Sequence, residues 1–152
     1  MIADDETVIH VTPDAAWLPP GGRAEVIRRS TPPTPLCVVR LLLRQADRVF
    51  CIPRADTGRL DLPLRSVEPD DPGGMLGITS LAEQLTGDGS HLVFVGAVRN
   101  VVASPQDGYP WPTPHAHFGV WTSENPPIVE GTWVGITGGS PLRDRHWFPL
   151  VR

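Results

Sequence analysis

Most apolar runs in this chain are short and alternate with polar positions, the spacing of strands, and proline and glycine punctuate them. "TVIHV", Thr7 to Val11, reads as a first strand. "STPPTP", Ser30 to Pro35, is a turn that cannot be helical. "LCVVRLLLR", Leu36 to Arg44, is apolar on both alternating faces apart from Arg40. "RVFCIPR", Arg48 to Arg54, follows so closely that the two read as a hairpin. "HLVFVGAVRNVV", His91 to Val102, is again apolar on both faces, which predicts an interior strand covered on each side. In "HAHFGVW" alternation puts Ala116, Phe118 and Val120 on one face, with His115, His117 and Trp121 on the other. "EGTWVGI" reads as one more short strand, and "GSPLRDRHW" as a final helix with Ser140 at its N-cap and Pro141 at its first position.

One stretch keeps a helical period. In "LPLRSVEPDDPGGMLGITSLAEQLTG", Leu62 to Gly87, the residues Met75, Ile78, Ala82 and Leu85 define one buried face. Asp71 followed by Pro72 suits a helix start, and Gly87 suits its end. Gly73, Gly74 and Gly77 weaken the first half by roughly 1 kcal/mol each relative to Ala, so this helix depends on packing. The elements together predict an α/β fold: a mixed sheet with at least two helices. A chain of 152 residues fits one domain, with residues 1–30 as an N-terminal extension that adds a strand or reaches a partner, and 31–152 as the main body.

Composition changes this picture only at the margins. The net charge of −4 offers no basic footprint for nucleic acid. No apolar run approaches the ~20 residues of a membrane span. "MIADDETVIH" lacks the basic start and apolar stretch of a signal peptide, so the expected location is cytoplasmic. All thirteen basic residues are Arg, as codon usage in a GC-rich genome produces; Schiff-base lysine chemistry and a P-loop lysine are both excluded. Cys37 and Cys51 read as packed thiols rather than a disulfide.

Several side chains carry candidate chemistry. Arg40 interrupts one apolar strand and Arg99 ends another; each offers a planar fork to an anionic ligand, or a structural ion pair. His115 and His117 share a strand face, as metal ligands or simply as its polar face. Trp121, Trp111 and Tyr109 lie near them in sequence, for stacking on a base or for packing.

The loop and helix of Leu62 to Gly87 resemble the box of the Nudix hydrolase family. That box runs Gly, five residues, Glu, seven residues, then Arg-Glu-aliphatic-any-Glu-Glu-any-Gly. Here the register gives Arg65, five residues, Asp71, seven residues, then Thr79-Ser80-Leu81-Ala82-Glu83-Gln84. "LP" before the box, "VEP" within it and Leu81 also fit, while Gly87 falls one residue late. The resemblance covers roughly Leu36 to Arg152 and implies an α/β/α sandwich. It also implies Mg²⁺ or Mn²⁺, held by box carboxylates one turn apart, bridging a diphosphate and activating water.

Of the three converging carboxylates only Glu83 remains, with Ser80 and Gln84 in the other places and Thr79 where the box has Arg. Glu68, in the "VEP" run, is the best second acid; Asp71 takes the place of the first box Glu, a mainly structural one. Two functions follow as expectations. One is a divergent pyrophosphohydrolase acting on a nucleoside diphosphate linked to another group. It would use Glu83 and Glu68 as metal ligands, with Ser80 and Gln84 beside them, and Arg40, Arg99, His115, His117 and Trp121 on the substrate. The other is a catalytically silent module that binds a nucleotide-like molecule or a protein partner in the same cleft. A homodimeric structural protein would instead show a large exposed apolar patch.

Overall fold

The computed structural model describes residues 5–152. Nine strands and one α-helix follow in the order β1 (Thr7–Thr12), β2 (Arg23–Arg28), β3 (Leu36–Gln45), β4 (Arg48–Pro53), β5 (Leu60–Asp61), β6 (Leu64–Ser66), α1 (Met75–Thr86), β7 (Val93–Val101), β8 (His115–Ser123) and β9 (Thr132–Gly135). A single 3₁₀ turn, Phe148–Leu150, closes the chain. The strands order as β1-β2-β7-β8-β3-β4-β5, with β6 added on β3 and β9 on β4. Every pairing is antiparallel except β3 with β8. The fold is therefore mixed α/β around a large mixed sheet. No helix among the described residues is long and apolar enough to cross a membrane.

Strand β3 explains the layers. A bulge between Leu36 and Val38 absorbs Cys37, so Leu36, Val39, Leu41 and Leu43 share one face. There they pack with Ile78, Leu81, Ala82 and Leu85 of α1. Leu42 belongs to the opposite core, with Val98, Val120, Trp147, Phe148 and Leu150. A run apolar on both faces is what a strand between two such layers requires. The hairpin between β3 and β4 closes at Arg44↔Val49 and Gln45↔Arg48. Strand β7 lies between β2 and β8, in the interior of the sheet.

The second layer is not the expected α-helix. From Ser140 onward the chain makes turns of i→i+3 type, such as Arg145 N to Leu142 O and Val151 N to Phe148 O. The physical reason lies in the spacing of its buried residues. Leu142, Trp147, Phe148, Leu150 and Val151 are all buried, and no single helical stripe holds those five. Ser140 still caps its turn, for its Oγ accepts from Leu142 N at 3.1 Å and donates to Gly135 O at 2.6 Å. Strands β2, β5 and β6 form where no strand was expected, each held by pairing to a neighbour rather than by its own apolar pattern. Cys37 and Cys51 are free thiols, half-buried and buried.

Candidate functional site

The box folds as a loop and a helix, with Asp71 as its anchor. Helix α1 opens at Met75 rather than at Pro72, behind Gly74 in the left-handed region at φ 73°. Gly74 has no side chain to cap the helix, and Asp71 does it from further back. Its Oδ1 accepts from Leu76 N at 3.1 Å and its Oδ2 from Gly77 N at 2.8 Å. Both carboxylate oxygens are thus committed to otherwise unpaired amides. Gly87, at φ 80°, closes the helix by donating to Glu83 O. Ile78, Ala82 and Leu85 face the core as the period predicts, joined by Leu81, whereas Met75 is half exposed. We expect Asp71→Ala to lower unfolding stability by about 1–2 kcal/mol, read by urea denaturation, because two amides lose their acceptor.

The remaining box acids do not converge. Glu68 and Ser80 line one small hollow of about 130 Å³ at the amino end of α1, together with Arg65 and Asp70. Glu83 and Gln84 are exposed and lie outside that hollow. Glu83 stands instead beside Thr79 and Gly89, so close that a Cβ on Gly89 would come within 2.8 Å of its Cγ. Among the described residues no group of three or more His, Cys, Asp or Glu is placed to hold a metal ion. A hard dication needs several charged oxygens around it. This donor set does not fit the Mg²⁺ or Mn²⁺ that the box resemblance implies.

A different set of side chains does converge, on the face of β3 that α1 does not cover. Arg40, Arg54, Arg59 and Arg145 line a hollow of about 170 Å³ with Asp61, Asp144, His146 and Trp147. Three of these arginines are engaged. Arg54 forks onto Asp56 at 2.9 and 2.8 Å and reaches Asp61 at 3.3 Å. Arg59 pairs with Asp144 at 3.2 Å, and Arg145 pairs with Asp144 at 2.7 Å and donates to Leu60 O at 2.8 Å.

Arg40 is the exception. Its guanidinium makes no hydrogen bond or ion pair among the described residues, and its Nε is buried. Burial pulls its pKa down from the usual range, Asp61 pushes it back up, and Arg54 opposes it. A guanidinium remains protonated through such shifts. Arg40 is thus a largely buried cation with no counter-ion in contact, at the floor of a hollow lined by four arginines and two aspartates.

The other expected ligand residues lie elsewhere. Arg99 is fully engaged by Glu6 at 2.7 and 3.1 Å and by Glu25 at 2.8 Å, where it ties β1, β2 and β7 together. Trp121 is 2% exposed, packed edge to face on Phe94 in the core under α1. Alternation places Trp121 correctly on the face opposite Val120, and that face is the helix-covered core rather than a cleft. His115 is exposed and His117 is buried, with ring centroids 6.1 Å apart. His117 Nδ1 lies 3.0 Å from Pro35 O, while its Nε2 is buried without a hydrogen-bond partner among the described residues. Burial pushes its pKa down to about 4. Of the expected substrate residues, only Arg40 lines the arginine hollow. Its companions come from "RADTGRLD" and "RDRHW", two stretches that interleave Arg and Asp, the one local sign of a charged pocket.

No family model matches the chain. No curated protein matches it either. Among solved structures, one of an ADP compounds hydrolase is similar over 90% of this chain and 73% of its own, at 12% identity and a TM-score of 0.37.

Proposed function

We propose that this chain is a Nudix-like protein that binds a phosphate-bearing small molecule in the arginine hollow, without the metal-dependent reaction of the box. The observation that supports this reading is Arg40. Its Nε is buried without a partner while the rest of the guanidinium borders the hollow, so an oxyanion bound there would supply the missing counter-charge. Charge-assisted, bidentate contacts of this kind are strong and geometrically selective for phosphate.

The test joins binding with stability. In wild type, binding of inorganic phosphate measured calorimetrically in EDTA is expected, and Arg40→Leu is expected to weaken it at least tenfold. The same substitution is expected to raise the unfolding free energy of the ligand-free protein by about 1–3 kcal/mol, because an uncompensated buried charge is replaced by apolar packing. Undiminished phosphate binding in Arg40→Leu would sink the reading. A loss of stability in the variant would mean that Arg40 is already satisfied in the free protein.

One observation favours a second reading, a divergent pyrophosphohydrolase cleaving a nucleoside diphosphate joined to another group: Glu68 and Ser80 share one hollow with Asp70. Turnover of such compounds with Mg²⁺ or Mn²⁺, lost in Glu68→Gln or Glu83→Gln, would support it.

A further inference from the structure

We infer that the phosphate-bearing ligand also carries an apolar group, aryl or alkyl, seated over Val38 beside the arginine hollow. This rests on the reading of Arg40 as the anion anchor. Arg40 and Val38 are two residues apart on β3, so they share a face about 7 Å apart. Beyond Arg54, which stands in both hollows, the lining changes from charged to apolar. The second hollow measures about 400 Å³; Val38, Ile52, Leu62, Leu64 and Trp111 form its apolar wall, and Arg54, Asp56 and Ser66 are its polar members. Trp111 is held there by an edge-to-face contact with Phe118 at 5.2 Å. Its indole is half-buried, so one part of the ring packs while the rest faces the hollow.

Charge decides what suits this surface. Arg54, on the shared wall, is already satisfied by Asp56 and Asp61, so it closes the apolar hollow without asking for a second anion. Of the four arginines in the two hollows, Arg40 is the one with no hydrogen bond or ion pair among the described residues. One oxyanion at Arg40 and one hydrocarbon or aryl group over Val38 therefore satisfy both hollows at once. A bare anion leaves the apolar wall wet, and a polar sugar would find only Ser66 and the already paired Arg54 and Asp56 as polar neighbours, with its other hydroxyls against Val38, Ile52 and Leu64. The occupant is a phosphate monoester of an apolar alcohol or phenol, with the ester oxygen spanning from Arg40 toward Val38.

The experiment compares inorganic phosphate, phenyl phosphate and ribose 5-phosphate by calorimetry and Trp fluorescence, in wild type and in Arg40→Leu, Trp111→Ala and Leu64→Ser. Phenyl phosphate is expected to bind wild type at least tenfold more tightly than either other compound. Trp111→Ala and Leu64→Ser should remove most of that gain while leaving affinity for inorganic phosphate within threefold, and Arg40→Leu should weaken all three compounds.

Equal affinity of phenyl phosphate and inorganic phosphate would overturn the inference and leave the anion site standing. So would ribose 5-phosphate binding as tightly as phenyl phosphate, or a gain that survives both apolar-wall variants. If inorganic phosphate and phenyl phosphate both fail to bind wild type, the arginine-hollow reading itself falls, and this inference with it.

Discussion

Asp61→Ala is expected to cost about 3–5 kcal/mol of unfolding stability. Asp61 is 1% exposed. Its Oδ1 accepts from the Trp147 indole N–H and from Leu62 N, each at 2.8 Å, and its Oδ2 lies 3.3 Å from Arg54. Alanine would leave two buried donors without an acceptor, and a buried donor stripped of its partner loses the full cost of desolvation. It would also remove the carboxylate whose field most favours the charged form of Arg40. The two positions should therefore couple. In the double variant Asp61→Ala with Arg40→Leu, part of the loss should return, because the cation left uncompensated is gone. Urea denaturation of the four proteins of that cycle reads both quantities. A single-variant loss below about 1 kcal/mol, or strict additivity of the pair, would refute this account. Asp61→Asn should fall between, since it keeps an oxygen for Trp147 but no charge.

The second expectation concerns acid. His117 is 3% exposed, and burial holds its pKa near 4, against an ordinary 6.5. The nearby Arg99 and His115 act in the same direction, while the contact with Pro35 O and the charge of Glu6 oppose it. The native state therefore keeps the ring neutral where the unfolded chain takes up a proton. Stability is full above the unfolded pKa and declines as pH falls from about 6.5 toward about 4, by roughly 1.4 kcal/mol per pH unit and about 3 kcal/mol in all. Unfolding midpoints measured between pH 7 and pH 4.5 should slope accordingly in wild type and less steeply in His117→Gln, where His146, also held below its ordinary value by burial, leaves a residual slope. The carboxylates do not blur this window. Glu6, hydrogen-bonded and paired to Arg99, is held below its ordinary 4.5, so its own contribution is lost only at lower pH. A wild-type curve no steeper than the variant's would show that His117 takes its proton while folded.

How much of this was legible in the sequence depends on the range of the forces involved. The strands around β3, β7 and β8, the helix with its buried Ile78, Ala82 and Leu85, and the closing Gly87 all follow from local period and backbone preference. Asp71 was legible as a cap, although the helix begins four residues beyond it at Met75. The last segment was misread because "SPLRDRHW" has an acceptable helix start, whereas its buried residues obey the shape of the sheet they cover. The face occupied by Trp121 was hidden for a related reason. A strand apolar on both sides does not record which side the helix takes. Arg40 was visible as an interruption, but its pocket was not, since Arg54, Asp61 and Arg145 reach it only through tertiary packing. The acids of the box show the converse. Glu68 and Glu83 sit at family spacing, and spacing alone does not bring them together.

The single parallel pairing of the sheet, β3 against β8, has a consequence for how the molecule is made. Leu36 to Leu43 find their partners at His117 to Ser123, about 80 residues further along the chain. As the protein leaves the ribosome, β3 and β4 can close their hairpin early, because that contact is local. The floor on which Arg40 sits, opposite Val120, waits for β8, and the Asp61–Trp147 bond waits for the last residues of all. Contacts of such separation slow folding, since loop closure must precede any gain from them. Until then the strongly apolar β3 has one open edge and an unshielded charge in its middle. That isolated arginine is poorly tolerated in stacked strands, so the residue proposed to hold the anion would also discourage premature pairing between unfinished chains.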